Sequence, residues 1–249
     1  MTVLDLFSGI GGFSLGLGAA GFDTLAFVEK DLFCQTVLAT HWPEVPIYED
    51  VRNVSIPKGF ANIICGGFPC QDVSLAAHWN GDVSSLLGDR SGLWYEYHRL
   101  IEEGDPDWII IENVENLRNK GLIIILRQLA DLGYDAEWHT IPAYSVGLPH
   151  RRRRLWAIAH ARRLGLQRDS EGSVLRFPEN LWHQNSRAAQ EVLGGWDISL
   201  LTPLRSYDGI PFYVDRVKAL GNSIVPQIAF NIGMGIKGAM ECHATMRTG

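Results

Sequence analysis

The sequence predicts an α/β protein built on an open, mainly parallel sheet with helices on both faces. Two observations predict it. Short apolar runs alternate with helix-length stretches over the first two-thirds of the 249 residues. The residues with chemistry to offer fall at the carboxyl ends of those runs, where sheets of this kind bind their ligands.

Thr2–Phe7 reads as a buried strand ending in a Gly-rich turn, and Phe13–Ala20 as a helix with Gly21 as its stop. Thr24–Glu29 is a second strand, and Leu32–His41 a helix ending before Trp42-Pro43. Ala61–Cys65 and Trp108–Glu112 are further buried strands. Leu122–Leu132 is a helix closed by Gly133, and Ala136–Pro142 with Arg154–Ala159 form a late strand pair. From Ala161 to about Pro203 the chain turns polar and loses periodicity. Regularity returns with helices over Val214–Leu220 and Val225–Ile236, the second tolerating Pro226 near its start. The expected organisation is therefore a main domain over 1–160, a small lobe over 161–207 and a returning segment over 208–249.

Composition narrows the class. Hydrophobic content of 46%, charged content of 20% and eight Trp describe an ordinary globular chain, not a disordered one. No apolar run reaches the length of a membrane span, and no secretory signal opens the sequence. The four cysteines, Cys34, Cys65, Cys70 and Cys242, form no CxxC pair, so neither a disulfide framework nor a metal site is expected and a reducing compartment fits. Net charge is −6, yet the stretch Arg151–Arg176 holds eight Arg, no Lys and two acids, a local +6 against −12 elsewhere. Such a stripe is either an electrostatic footprint for a polyanion or a solvated charged segment.

Asp5-Leu6-Phe7-Ser8-Gly9-Ile10-Gly11-Gly12-Phe13 follows a strand and opens a helix. Glycines there let a ligand approach the backbone and leave helix N-terminal N–H groups available. A tight structural turn would look the same, and Ser14 occupies the third Gly position of the dinucleotide fingerprint. Glu29 ends the second strand, where a carboxylate can take both hydroxyls of a ribose, or cap the helix that follows. Asp50 sits near a third strand edge, and alone reads as a turn residue.

Gly66-Gly67-Phe68-Pro69-Cys70-Gln71 puts a Cys on a loop after a buried strand, although a buried Cys is often only a small hydrophobe. Glu112-Asn113-Val114 ends the neighbouring strand and His150-Arg151-Arg152-Arg153-Arg154 precedes another. Arginines can favour a thiolate, and a buried carboxyl can keep a proton and deliver it.

DLFSGIGG, GGFPCQ, ENV, RRRR and GNSIVP, in this order, resemble the DNA cytosine-C5 methyltransferases of small phage or bacterial type. The resemblance covers the chain apart from about 50 residues after Ala157. It implies a Rossmann-like class I S-adenosylmethionine-dependent methyltransferase fold with a small target-recognition lobe. It also implies methyl transfer to C5 of a cytosine flipped out of DNA, through a covalent bond from Cys70 to C6. By this likeness Glu112 contacts N3 and the exocyclic amine, and Arg152 and Arg154 are the family's paired arginines. Arg151 and Arg153 are left to phosphates or solvent, and Asn113 braces the Cys loop. The cofactor, which leaves as S-adenosylhomocysteine, is assigned Phe7, Gly9 and Gly11. Glu29 is assigned its ribose, Asp50 with Val51 its adenine, and Pro69, Leu93, Asn222, Ser223 and Ile224 the rest of the pocket. Double-stranded DNA is the implied partner, with a cognate restriction endonuclease as a candidate second one. The expected protein is a monomer in the cytoplasm of a bacterial or phage-infected cell.

The sequence departs from the family in places. His150 stands where Gln is usual, and Asp208–Pro211 with Asp215-Arg216 replaces the block that ordinarily packs the recognition lobe. With so small a lobe, a target of about two to four base pairs is expected. Trp182, His183, Gln184, Asn185 and Arg187 are its candidate readers, or ordinary loop residues, and Asp72–Gly92 a lid. Among rivals, the transfer-RNA-modifying branch carries a Cys-Phe-Thr that is missing here. A silent DNA-binding module would not need Cys70, Glu112, Arg152 and Arg154. A nicotinamide oxidoreductase would leave the Pro-Cys loop unexplained.

Overall fold

The computed structural model describes residues 1–69, 92–148, 151–168, 172–175 and 223–248. Seven strands form one sheet in the order β3-β2-β1-β4-β5-β7-β6. They are β1 (Thr2–Leu6), β2 (Asp23–Val28), β3 (Ile47–Tyr48), β4 (Ile63–Gly66), β5 (Trp108–Val114), β6 (Tyr134–Pro142) and β7 (Arg153–Ala161). The first five run parallel, while β7 is antiparallel to both β5 and β6. The strand order reverses at β1, so the carboxyl ends of β1 and β4 open a crevice there.

Among the described residues, six α-helices clothe the sheet: α1 (Gly12–Ala19), α2 (Leu32–His41), α3 (Gly92–Gly104), α4 (Leu117–Lys120), α5 (Leu122–Asp131) and α6 (Pro226–Thr248). Alternate residues of the central strands face opposite layers, as the two-residue strand period requires. Leu4, Leu6, Ile64, Ile109 and Ile111 meet Trp94, Tyr97, Leu100 and Ile125 of α3 and α5 on one side. Val3, Ile63, Cys65, Trp108, Ile110, Trp156 and Ile158 meet Phe13 and Leu17 of α1 and Ile228 and Ile232 of α6 on the other. Helices α1 and α6 come close because both carry glycine at the crossing: Gly16 lies against the backbone of Pro226, and Gly233 against Ala20.

Several expectations are corrected. A two-residue strand, Ile47–Tyr48, precedes the one expected at Ala61–Cys65, which becomes the fourth and spans Ile63–Gly66. Two residues are too few to show an alternation. Gly92 opens helix α3, whereas the sequence reading made it the end of a lid. That helix buries Trp94, Tyr97, Leu100, Ile101 and Gly104 on one face, at the spacing of an amphipathic helix. Strand β5 continues two residues past Glu112 to Val114, so Glu112 lies within the strand. Helix α6 runs to Thr248, not Ile236. Ala161 is the last residue of β7, and Val174 and Leu175 are buried in the α1/α6 layer. Helix 214–220, the lid residues before Gly92 and the candidate readers at 182–187 lie outside the described residues.

Candidate active site

The Gly-rich turn leaves β1 through three residues with left-handed backbone: Phe7 at φ 53°, Gly9 at φ 55° and Gly11 at φ 85°. A non-glycine residue adopts this conformation only where its surroundings impose it. Stacking of the Phe7 ring on Tyr97, centroids 6.3 Å apart, holds it here. A side chain at Gly11 would run into the Trp42 ring at 2.6 Å, so glycine is required twice over. At Gly9 a Cβ would meet nothing within 4 Å among the described residues, which leave open space above the turn.

Two buried groups pin this turn. Asp5 Oδ2 accepts from the Ser14 hydroxyl at 2.7 Å and from the Ser14 N–H at 3.3 Å. Ser8 Oγ donates to the Asp5 carbonyl at 2.6 Å. The residue that spoils the dinucleotide fingerprint is therefore the anchor of α1. Burial pushes the Asp5 carboxyl up to about 7, against the pull of the Ser14 hydrogen bonds.

Glu29 follows β2 and holds the turn from the other side. One oxygen accepts from the Gly9 N–H and the other from the Asp31 N–H, both at 2.7 Å. The cap of α2 is Asp31, whose side chain accepts from the N–H groups of Phe33 and Cys34. The helix-cap alternative for Glu29 is thereby removed. Asp50 caps a single 3-10 turn at Val51–Asn53 and lies 3.7 Å from Lys30 Nζ. Val51 beside it is buried.

Glu112 is 7% exposed. Arg154 sits on β7 opposite Val114, and its Nε lies 3.1 Å from Glu112 Oε1 as an ion pair without hydrogen-bond alignment. Against Glu112 Oε2 stands the backbone of Gly67: a Cβ there would lie 2.9 Å from it, and 3.5 Å from Ile224. Burial raises the Glu112 carboxyl to about 7, opposed by Arg154 and then Arg152. Arg152 is half-buried, and burial beside Arg154 depresses its own pKa. Arg151 and Arg153 are exposed, Arg153 at 3.2 Å from Glu115. Asn113 Nδ2 donates to the Phe68 carbonyl at 2.9 Å, tying β5 to the segment that leads into Cys70.

Pro69 is exposed at the edge of the described chain, Leu93 is half-buried in the first turn of α3, and Ser223 and Ile224 lie against Gly12. Cys70, Asn222 and His150 lie outside the described residues. The structure therefore brings the Gly-rich turn and Glu29 together, and separately Glu112, Arg154 and Gly67, with Ile224 between the two groups. Asp50, on its own turn, reaches the Glu29 end through Lys30 at 3.7 Å. The sequence reading missed Asp5 and Ser14 as the anchor of the turn. A buried acid within a β-strand was the available signal.

A sequence model of the C-5 cytosine-specific DNA methylases matches residues 1–199. The chain belongs to that family. Type II methyltransferase M2.BsuMI of Bacillus subtilis is 38% identical over 168 residues, covering 64% of this chain and 42% of that protein. Type II methyltransferase M.AquIA of Picosynechococcus sp. is 28% identical over 264 residues, covering 97% of this chain and 98% of that one. Among solved structures, a DNA modification methyltransferase encoded within an E. coli prophage superposes with a TM-score of 0.56 at 29% identity, over 69% of this chain and 49% of that one. M.AquIA apart, this methylase-family chain spans about half the length of the first relatives it matches. The family accounts for the strand order, with the antiparallel β6–β7 pair completing a class I methyltransferase sheet. Among the described residues no helix is long and apolar enough to cross a membrane.

Proposed function

We propose that this chain methylates C5 of a cytosine flipped out of a short double-stranded DNA target, with S-adenosylmethionine as donor. The observation that carries the reading is Glu112: a buried carboxyl with a pKa near 7, flanked by Arg154 and Arg152, beside the segment that delivers Cys70. A carboxyl poised near neutrality can hold a proton and release it to a ring nitrogen.

The residues present fit the donor. Open space at Gly9, the first-turn N–H groups of α1 and the Glu29 carboxylate lie side by side, and Gly11 bears no side-chain cap on that helix. Phe7, Gly9, Gly11 and Glu29 would hold it, with Asp50 and Val51 at the adenine and Pro69, Leu93, Asn222, Ser223 and Ile224 closing the pocket. When bound, the donor supplies an electrophilic methyl on a sulfonium.

Cytosine C5 is a poor nucleophile until C6 is attacked. The Cys70 thiolate adds to C6, and Glu112 gives a proton to N3, so the electron pair collects at C5 rather than as ring charge. C5, so activated, would take the methyl that the donor supplies, the S–CH3 bond breaking and S-adenosylhomocysteine leaving. Loss of the C5 proton to a base, expulsion of the Cys70 thiolate and return of the N3 proton to Glu112 restore the ring. Arg154 and Arg152 orient Glu112 and the base, and Asn113 fixes the Cys70 segment. Residues 161–207 are the proposed source of target contacts. A monomer in the cytoplasm, with a restriction endonuclease as a candidate partner, completes the reading.

The test uses tritiated S-adenosylmethionine with DNA and RNA substrates, wild type beside Cys70→Ala. Label should enter DNA in the wild type only. Absence of DNA labelling in the wild type, or equal labelling in the variant, overturns the reading. DNA containing 5-fluorocytosine should form a denaturant-resistant adduct that depends on Cys70.

A further inference from the structure

We propose that Trp156 is a positioning residue for Glu112: its indole closes the α1/α6 side of that carboxyl to water. The importance of the closure for turnover rests on the proton-donor role read above. The closure itself rests on geometry.

Glu112 and Trp156 are directly opposite in the antiparallel β5–β7 ladder. Directly opposed residues project to the same face, with Cβ atoms about 5 Å apart. That face is the α1/α6 layer: Trp108 and Ile110 precede Glu112 on it, and Ile158 and His160 follow Trp156. Trp156 is 1% exposed and is locked by Phe13 of α1, which meets it edge-on at 5.5 Å between centroids. Among the described residues, the Gly67 backbone stands against Glu112 Oε2, with Ile224 next to Gly67. Among the described residues, the charged groups that act on Glu112 are Arg154 and Arg152, both from the β7 side. Gly67, Ile224, Phe13 and Trp156 bring no charge. Two guanidiniums pull the carboxyl towards ionisation, yet burial prevails. The rigid apolar body opposite it in the ladder is the Trp156 indole.

The indole N–H finds no hydrogen-bond partner among the described residues, so tryptophan is not kept here for a bond within the described fold. A phenyl ring would preserve most of the wall. This separates closure from hydrogen bonding.

The test is a pH titration of Glu112 by carboxyl-carbon NMR on 13C-glutamate-labelled protein, the resonance assigned by its loss in Glu112→Gln. Trp156→Phe should leave the midpoint near the wild-type value. Trp156→Ala, which opens the wall, should lower it by about one pH unit or more, and Trp156→Leu by a smaller step in the same direction. Should the alanine variant fail to fold, the leucine variant carries the test. Rotation of the alkaline limb of methyl transfer to lower pH should accompany the fall. An unchanged midpoint in the leucine and alanine variants overturns the proposal, as does an equal fall in the phenylalanine variant. Because the titration needs no turnover, a moved midpoint in a protein that does not methylate DNA sinks the Cys70 reading and leaves this one standing.

Discussion

Glu112 on β5 and Arg154 on β7 lie diagonally across an antiparallel pair, Oε1 and Nε 3.1 Å apart, and yet the carboxyl titrates near 7. Burial outweighs the nearby charge. The arginine therefore sets how far the pKa rises, and its removal has a definite sign. Arg154→Gln takes away the first of the two groups that lower the Glu112 pKa, so the midpoint should climb above the wild-type value. Titration by carboxyl-carbon NMR would show it. Methyl transfer should fall at least tenfold, since the orienting contact is lost as well.

Glu112 also makes stability depend on pH. Its folded-state pKa is raised from 4.5 to about 7, so the neutral carboxyl is the form the fold accommodates. That contribution is complete below the unfolded-state value and disappears as pH rises through about 7. Glu112→Gln, neutral at every pH, should equal the wild type at pH 4 and exceed it at pH 8. The gap should be of the order of 3 kcal/mol or less. Urea unfolding at the two pH values measures it.

Asp5 follows the same sign for the same reason, with a different partner. It too is raised by burial to about 7, but its partner is the Ser14 hydroxyl at 2.7 Å, which an amide oxygen can still accept. Asp5→Asn should keep the anchor and gain stability above pH 7. Asp5→Leu, with no acceptor, should lose about 1–3 kcal/mol and weaken S-adenosylmethionine binding by loosening the turn. Calorimetric titration of the cofactor separates the two variants.

The α1–α6 contact predicts a contrast between two glycines of one helix. A methyl at Gly16 would strike the Pro226 carbonyl and lie 2.8 Å from the Ala229 methyl, whereas one at Gly18 would meet nothing within 4 Å. Gly16→Ala should cost about 1–3 kcal/mol. Gly18→Ala should be neutral or stabilising by about 0.5–1 kcal/mol. Thermal melts of the two variants test this directly.

Asn113→Ala removes the donor to the Phe68 carbonyl. Stability should fall by about 1 kcal/mol. The rate of adduct formation with 5-fluorocytosine DNA should fall much further, because the segment before Cys70 loses its tie to β5. Equal rates would mean the tie is structural only.

Much of this was legible in the order of residues. The apolar runs of β1, β4, β5 and β7 specify those strands because each is buried on both faces, and the Gly-rich turn, Glu29 and Glu112 fall near strand ends because a parallel sheet puts all its carboxyl ends on one edge. The motif order specifies the family. What the sequence could not show was which neighbours desolvate which groups. That Asp5 holds Ser14 depends on how the turn between them folds back, that Glu29 reaches Gly9 depends on the pairing of β1 with β2, and that Trp156 faces Glu112 depends on the register of strands far apart in the chain. A carboxyl's proton affinity is decided by what surrounds it within a few ångströms. Sequence determines that a buried acid stands on β5; only the packing of β7, α1 and the Ile224 segment around it decides that the acid titrates near neutrality.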